Sequence, residues 1–391
     1  MKILLPIGTI LICVSMIVFP KETYEAATLG LNTWWTIVFP SLLPFFIIAE
    51  LFLGLGIVHF IGILLEPVMR PIFNLPGSAA FVVALGYSSG FPIGAALTTS
   101  LRKQNLCTRL EGERLLSFTN NASPLFIFVA VSVGIFHDPS LGVLLATAHY
   151  LSNLLLGVLL RFYGTKDPEK NNREKIHYQY LLRRSFRAMF EAQKKDGRPL
   201  GKLMSDAVKK SVINLATIGG FIILFAVLIR ILAILGISPY IEKIISLIFY
   251  PFHFSDSIIT ALSGGLFEMT LGVKMAGESM APLSERIVAA SMIMGWSGLC
   301  IQAQIAGIIS ESDLHFLPCF LTRIAHMLLA GFFTAILAHS RSIGVIKMLV
   351  PEPPVEPLSY VVIPFFLCIL GVLVVICTVI FRILILHVLH R

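Results

Sequence analysis

Long apolar stretches separated by short polar breaks dominate the hydropathy pattern of the chain. A membrane-spanning helix needs about 20 mostly apolar residues. Eight stretches come close to or exceed that length: 3–19, 32–56, 113–136, 140–162, 211–235, 285–309, 317–339 and 359–387. Two more apolar stretches, about 76–100 and 256–276, are interrupted by glycines. The pattern therefore predicts eight transmembrane helices and two broken segments of another kind.

Composition also indicates a membrane protein. Hydrophobic residues make up 56% of its 391 positions and charged residues 13%, whereas a soluble domain has about 25% charged residues. The six cysteines have no paired spacing, so neither a disulfide framework nor a metal site is expected. No small-residue cleavage site follows 3–19, which predicts a retained first span rather than a signal peptide. We therefore expect an all-α polytopic membrane protein.

Charge is concentrated in one polar region. Arg161 to Lys210 contains 14 Lys/Arg and 6 Asp/Glu, and its net charge of +8 equals that of the whole chain. Because basic loops stay on the cytoplasmic side, we expect this loop and both termini in the cytoplasm, with 137–140 and 341–357 opposite. The stretch YLLRRSFRAMFEAQKK predicts an amphipathic helix on anionic headgroups. No nucleic-acid motif accompanies the charge, so nucleic-acid binding is not expected.

Four short matches indicate an internal repeat. GLGI (54–57) matches ILGI (234–237) at an offset of 180, and GYSSGFPIG (86–94) matches GGLFEMTLG (264–272) at 178. ERLLSF (113–118) matches ERIVAA (285–290) at 172, and LLLG (154–157) matches LLAG (328–331) at 174. Matches that keep their order at nearly constant offsets are the signature of a repeat.

The repeat predicts the domain organisation. Residues 1–30 form a first span and connector, 31–163 repeat 1, 164–209 the basic cytoplasmic loop, 210–340 repeat 2, and 341–391 an extracytoplasmic connector and last span. Each repeat contains three spans, an odd number, so the second copy is inverted in the membrane. Inverted repeats with broken elements in matching positions point to the substrate site of a secondary transporter.

The first broken segment, GYSSGFPIGAALTT (86–99), is rich in glycine and hydroxyl groups and carries no charge. Non-helical backbone survives at membrane depth only when it is buried in protein or faces a water-filled cavity. A re-entrant hairpin that offers free amides and hydroxyls to a ligand is one interpretation; tight packing through a GxxxG spacing is the alternative. The candidate ligand contacts here are Gly86, Tyr87, Ser88, Ser89 and Gly90.

Polar residues next to both broken segments predict unwound helices. SFTNNASP (117–124) places two asparagines and a proline inside an apolar span, and MGWSG (294–298) is its counterpart. Unsatisfied polar groups at this depth are costly, so these residues are expected to serve a site. The candidates are Asn120, Asn121, Ser123, Ser297, Gln302 and Gln304.

Glu268 lies in the second broken segment, after Gly264 and Gly265, which we also include as candidate contacts. Its carboxylate either coordinates a coupling H⁺ or Na⁺ or makes a structural hydrogen bond to nearby backbone; Lys274 is a possible partner. The two alternatives stay open at this stage.

Other ionisable residues in apolar stretches have simpler interpretations. Glu50 and Arg230 occupy equivalent repeat positions but are expected to snorkel to the interface rather than meet. Helix capping is the main expectation for Glu113 and Glu285, which begin two spans beside Arg114 and Arg286; anion contact by either arginine is the alternative. His149 and His326 are expected to be buried and satisfied, with proton relay as the alternative.

The motifs resemble a known family. GYSSGFPIG, ERLLSFTNNASPLFIF, VGIFHDPSLGVLLATAHYLSN, GLFEMTLG and GWSGLCIQAQIAGIIS resemble the YlbJ-type (SpoVV) sporulation membrane proteins of endospore formers, which belong to the larger nucleoside-recognition Gate group. The resemblance covers about 30–387. It implies transport of dipicolinic acid across the outer forespore membrane, and hairpin-plus-broken-helix repeats similar to those of concentrative nucleoside transporters.

Chemistry narrows the function classes. Dipicolinate has a flat ring and two carboxylates, which helix amides and hydroxyls can bind while Tyr87, Phe91 or Trp296 stacks on the ring. HExxH, GxSxG and P-loop motifs are absent, so neither an enzyme nor direct use of ATP is expected. No cofactor is expected beyond a possible coupling ion. Expected partners are a small anionic substrate, the lipid bilayer and further copies of the chain. A nucleoside or other organic-anion transporter, and a non-transporting scaffold for spore assembly, are the alternatives.

Overall fold

The computed structural model describes residues 4–164, 169 and 181–342. All regular secondary structure in these residues is helical. The main helices are α1 (Leu4–Val18), α2 (Pro20–Thr33), α3 (Phe39–Gly54), α4 (Ile57–Phe73), α5 (Ala79–Ser89), α6 (Ile93–Lys103), α7 (Arg109–Thr119), α8 (Ser140–Leu159), α9 (Leu181–Asp196), α10 (Leu200–Ile234), α11 (Ser238–Ile248), α12 (Asp256–Phe267), α13 (Met269–Glu278), α14 (Leu283–Trp296), α15 (Gly298–Ile309) and α16 (Leu317–Ser342). Two stretches are π-helical. Trp34–Val38 joins α2 to α3, and Phe126–Ile135 lies between the break after α7 and α8.

The two halves have the same order of elements. In the first half, α3 leads to α4, the hairpin α5–α6, α7, a break at 120–123, the second π-helical stretch and α8. In the second half, α10 leads to α11, the hairpin α12–α13, α14, a break at Ser297, α15 and α16. Both segments predicted to be broken by glycine are thus helical hairpins.

Backbone conformations support this correspondence at single residues. Gly56 and Gly236, the matched glycines of GLGI and ILGI, both lie in the left-handed region, at φ of 70° and 69°. In each half a connector region joins the first long helix to the hairpin: α4 in the first half, and α11 with the short turn after it in the second. Asn74 and His253, 179 positions apart, end these two connector regions and also have positive φ, 55° and 50°. Non-glycine residues rarely adopt this conformation, so its recurrence at matched positions is informative.

Fewer helices than predicted are long and apolar enough to cross a membrane by themselves. Among the described residues there are four, Ser140–Phe162, Leu200–Ile234, Leu283–Ile309 and Leu317–Ala338, or five if Leu43–Gly54 and Ile57–Phe73, bent by 82°, form one span. The predicted span 3–19 is a helix of 15 residues, and 113–136 is divided by its break. The predicted last span, 359–387, and the 341–357 connector lie outside the described residues. The polytopic all-α class is confirmed, whereas the count of eight stays a prediction.

Much of the predicted basic loop 164–209 is helical in the structure. A helix forms where an amphipathic one was expected, at Leu181–Asp196, and α10 begins at Leu200, before the predicted boundary at 210. The ring of Phe186 lies 4.9 Å from that of Phe60 on α4, and Gln193 Nε2 donates to the carbonyl of Leu55 at 2.8 Å. α9 therefore packs on the connector helix of the first half, and contact with lipid headgroups stays a prediction.

One apolar cluster joins the two halves. It contains Ala95, Leu116 and Ala122 from the first half together with Met269 and Ile293 from the second. These residues come from both hairpins and from the helices beside them. Because burying apolar surface is the main stabilising contribution, the hairpins and broken helices of both halves form one packed unit.

Contacts at the helix ends place two groups of residues at opposite ends of the bundle. At one end, Arg102 Nη2 lies 2.6 Å from Asp313 Oδ2, and Glu113 at the start of α7 accepts from His315 N at 3.2 Å. At the other end, Arg286 near the start of α14 lies over the ring of Phe136, at 5.4 Å. Helix α8, about 30 Å long by its 20 residues, connects these two ends. α7 and α14 therefore begin at opposite ends.

Candidate functional site

The tip of the first hairpin touches the break after α7. α5 ends at Ser89 and α6 starts at Ile93. Gly90, between them, has φ +85°, and a Cβ added to it would lie 2.9 Å from the Cβ of Ser123. Only glycine fits, because any side chain would collide with the broken segment.

The second half has the same arrangement, except that the glycine lies in the helix break rather than at the hairpin tip. Gly298 follows Ser297 at the break between α14 and α15 and has φ +77°. A Cβ there would lie 3.0 Å from the carbonyl oxygen of Phe267 and from the amide nitrogen of Met269, the two sides of the second hairpin tip. In both halves, then, a hairpin tip lies directly against a helix break.

Side chains satisfy the carbonyl groups that the first break leaves open. The last carbonyls of a helix have no partner within the helix, and at membrane depth water does not replace it. Asn120 Nδ2 donates to the carbonyl of Leu116 at 2.7 Å, and Asn121 Nδ2 to that of Phe118 at 3.3 Å. The two asparagines expected to contact a ligand therefore also cap α7.

Arg323 on α16 is the central donor of this cap, and no part of it is exposed. Its Nη1 donates to the carbonyl of Asn120 at 2.6 Å, and its Nη2 to the carbonyl of Ser117 and to Asn153 Oδ1, the latter at 3.1 Å. No Asp or Glu of the described residues forms an ion pair with it. The partial negative charge at the C-terminus of α7 offsets part of the guanidinium charge.

Two histidines complete this buried network. His326 Nδ1 lies 3.2 Å from Arg323 Nη1, and its Nε2 lies 2.9 Å from the carbonyl of His149. His149 Nε2 accepts from the amide of Ala122 at 3.2 Å, inside the break. His149 is therefore protonated on Nδ1 if neutral. Both rings are wholly buried, as expected, but His149 Nδ1 has no hydrogen-bond partner among the described residues, so only His326 is fully satisfied. The proton-relay alternative stays a hypothesis.

At the second hairpin tip, Glu268 caps the helix that follows it. Its carboxylate accepts from the amide of Thr270 at 3.0 Å and from that of Leu271 at 2.6 Å, at the N-terminus of α13. This is the structural hydrogen bond expected as one of the two alternatives; the coupling-ion alternative stays open. The suggested partner Lys274 instead lies 3.9 Å from Glu278.

Trp296 and Gln302 connect the second break to its hairpin. Trp296 Nε1 donates to the carbonyl of Leu266 at 3.0 Å, and Gln302 Nε2 donates to the carbonyl of Trp296 at 3.1 Å. Ser297, in the left-handed conformation with φ 72°, is wholly buried at the break itself. Gln304 lies two residues further along α15 and lines a separate cavity.

The remaining predicted residues lie in the hairpin helices. Gly86, Tyr87, Ser88 and Ser89 form the last turn of α5, and Gly264 and Gly265 lie on α12 where it faces α13. The hydroxyl of Ser88 donates to the carbonyl of Leu85 at 3.3 Å, and that of Tyr87 accepts from Asn153 Nδ2 at 3.3 Å. Tyr87, Asn120 and Asn121 therefore converge on one network, whereas Gln304 is not part of it.

Sequence reasoning missed two members of that network, Arg323 and Asn153. A signal was present, because each is a strongly polar residue inside an apolar stretch. Such residues usually face the protein interior and mark a functional site.

Three expectations for charged residues need correction. Glu113 and Glu285 do not cap their own helices by hydrogen bonds: Tyr163 Oη donates to Glu113 at 2.9 Å, and the amide of Ser255, before α12, donates to Glu285 at 2.9 Å. Thr108 caps α7 instead. Glu50 forms an ion pair with Lys210 at 2.6 Å rather than only snorkelling. In each case the partner is distant in the chain.

Fold and site together define an all-helical integral membrane protein built around two hairpins and two broken helices. Residues 35–165 match the Gate family, described as nucleoside recognition. The chain is similar to the sporulation integral membrane protein YlbJ of Bacillus subtilis, with 45% identity over 323 residues, 83% of this chain and 79% of the relative. The chain belongs to the YlbJ family of sporulation integral membrane proteins.

A more distant relative adds no functional information. An uncharacterised protein of Alkalihalophilus pseudofirmus is 24% identical over 213 residues, which cover 52% of this chain and 44% of that protein. No solved structure matches the chain.

Proposed function

We propose that the protein is a secondary transporter that moves dipicolinic acid across the outer forespore membrane by alternating access. The observation that carries this proposal is the contact of a hairpin tip with a helix break in both halves, Gly90 with Ser123 and Gly298 with Phe267. Non-helical backbone at membrane depth is characteristic of transporter sites. A scaffold would need no such breaks.

The inversion that we propose for the two halves would provide alternating access. The matched helices α7 and α14 begin at opposite ends of the bundle, as the contacts of Glu113 and Arg286 indicate. Two similar halves of opposite orientation give a transporter two conformations of similar energy, open to opposite sides. The buried cluster shared by both halves is the surface across which such a change would occur.

Charge and family support the substrate. Arg323 is a buried cation without an acidic partner among the described residues, and a positive site favours an anion. Dipicolinate is a dianion at neutral pH, and the Bacillus subtilis relative is named for sporulation. The Gate match over 35–165, described as nucleoside recognition, favours a nucleoside as the second candidate substrate.

Uptake into proteoliposomes tests the proposal directly. We expect uptake of labelled pyridine-2,6-dicarboxylate and little uptake of labelled uridine; an imposed H⁺ or Na⁺ gradient would identify the driving force. Uridine uptake alone would support the nucleoside candidate. Uptake of neither would leave the scaffold alternative.

Single-cysteine labelling in a cysteine-free background tests the proposed orientation. Both termini and the basic loop are placed in the cytoplasm because of the net charge of +8 between Arg161 and Lys210. A cysteine at position 170 should react only from the cytoplasmic side. Reaction from the other side would reverse the orientation.

A further inference from the structure

A cavity of about 140 Å³ lies between α3, α6, α10 and α15. Its walls are the second arm of the first hairpin, the helix after the second break, and the two helices that precede the connectors. A cavity of about 150 Å³ holds one benzene molecule. The volume therefore suits one aromatic ring and is small for a base joined to a ribose.

A buried hydroxyl group faces this cavity without a partner. Thr99 lines the cavity, is 4% exposed, and its Oγ1 has no hydrogen-bond partner among the described residues. The neighbouring Thr98 Oγ1 instead donates to the carbonyl of Gly94 at 2.7 Å, four residues back in the helix. That local bond is the usual one for a helical threonine. An unpaired buried hydroxyl is unfavourable, so a ligand atom in the cavity would stabilise it.

Further donors and two rings surround the same space. The amides of Asn214 and Gln304 line the cavity, as does Lys210, whose Nζ lies 2.6 Å from Glu50 Oε1. Amide and ammonium groups are hydrogen-bond donors that suit a carboxylate. The phenyl rings of Phe46 and Phe221 also line the cavity and offer apolar surface to a flat ring.

We propose that this cavity binds a single-ring aromatic carboxylate. The ring lies against Phe46 and Phe221, the carboxylate accepts from Thr99 and the amides, and Lys210 exchanges Glu50 for the ligand. Lys103 and Glu311, which form an ion pair at the rim of the cavity, mark the end from which the ligand enters. The proposal rests on the proposed function and specifies where its substrate binds.

Glycine substitutions provide a test with a matched control. A Cβ at Gly307 on α15 meets only the ring of Phe221, at 3.5 Å, whereas a Cβ at Gly220 on α10 meets nothing within 4 Å. Gly307→Leu should therefore fill the cavity without disturbing the helix, and Gly220→Leu should not. Both changes replace a helical glycine, so both raise helix propensity equally.

The measurement is equilibrium binding of pyridine-2,6-dicarboxylate to the full-length protein in nanodiscs, with uridine as the comparison ligand. We expect Gly307→Leu to weaken binding by at least about tenfold and Gly220→Leu to leave it unchanged. Thr99→Val should also weaken binding, whereas Thr98→Val should not, since its hydroxyl is used inside the helix. Thermal unfolding of each variant verifies that it is folded.

The outcomes separate this proposal from the proposed function. Binding that survives Gly307→Leu and Thr99→Val but is lost in Asn121→Leu would move the site to the first break and overturn the cavity proposal. In that case the transporter proposal would stand. If the wild-type protein neither binds nor transports the dicarboxylate, both proposals are wrong.

Discussion

A hydrogen bond of 2.6 Å joins Arg323 Nη1 to the carbonyl oxygen of Asn120, across 203 positions of the chain. It places a wholly buried guanidinium at the point where α7 stops. The break in α7 is therefore held open by a residue of the other half. If one half moves relative to the other, either this hydrogen bond breaks or the end of α7 moves together with α16.

Replacing Arg323 should destabilise the break because the change removes hydrogen-bond donors as well as a charge. Arg323→Leu leaves the carbonyls of Ser117 and Asn120 without their donor, and each unpaired buried group costs about 1–3 kcal/mol. We expect a marked fall in melting temperature and loss of dicarboxylate uptake. Arg323→Lys should recover only part of both, because an ammonium lacks the planar fork of donors.

The control for this variant is another arginine in an apolar helix. Arg230 on α10 is exposed, so Arg230→Leu should change neither melting temperature nor uptake. An Arg323→Leu protein that melts and transports like the wild type would contradict the capping role.

Asn121→Leu should abolish transport while the protein still inserts. The change removes a donor to the carbonyl of Phe118 and the acceptor for Asn153. Each unpaired buried partner costs about 1–3 kcal/mol, so the break should lose its defined geometry and the transport cycle should stop, while equilibrium binding in the cavity between α3, α6, α10 and α15 is retained. In a sporulating host, we expect heat-sensitive spores poor in dipicolinate while the mother cell still makes it. Thr33→Ala, which removes only an exposed hydrogen bond inside α2, is the mild control.

Glu268→Gln distinguishes the two roles of this carboxylate. An amide oxygen still accepts from the backbone of α13, so the variant should fold and retain downhill exchange of substrate. Glu268→Leu removes the cap at Thr270 and Leu271 and should cost about 1 kcal/mol of stability. Loss of gradient-driven uptake in Glu268→Gln, with exchange intact, would identify a coupling residue. Unchanged uptake would leave only the cap.

The ion pair between Arg102 and Asp313 should stabilise the protein at neutral pH but not at strongly acidic pH. Hydrogen bonds from Arg102 hold the pKa of the Asp313 carboxyl below its usual value. A carboxyl with a lowered folded-state pKa stabilises the protein above its unfolded pKa, about 4, and this contribution is lost as pH falls through the lower folded value. Because Asp313 is largely exposed, solvent screening keeps the effect below about 1 kcal/mol.

Thermal unfolding of Asp313→Asn tests this expectation. The melting temperature should fall slightly at pH 7, and less at high salt. At pH 3 the variant and the wild type should differ less. A larger difference at pH 3 than at pH 7 would contradict the assigned direction.

Local information in the chain was sufficient to predict the helical class, both hairpins and both breaks. Glycine and proline act on the backbone at their own positions, so GYSSGFPIG and MGWSG revealed a reversal and a break without knowledge of their neighbours. Matching GLGI with ILGI likewise paired two glycines, Gly56 and Gly236, that share a left-handed conformation in the structure. These features depend on conformational preferences that reach only a few residues along the chain.

Partners across the fold were decided by tertiary packing. Asn120 and Asn121 were recognised as polar residues in a costly place, but the donor to Asn120, Arg323, and the donor to Asn121, Asn153, come from other helices. Glu50 meets Lys210, and Glu113 meets His315, for the same reason. Hydropathy along the chain indicates only whether a residue's surroundings should be apolar. Only the packing of whole helices against one another determines which buried donor reaches which acceptor.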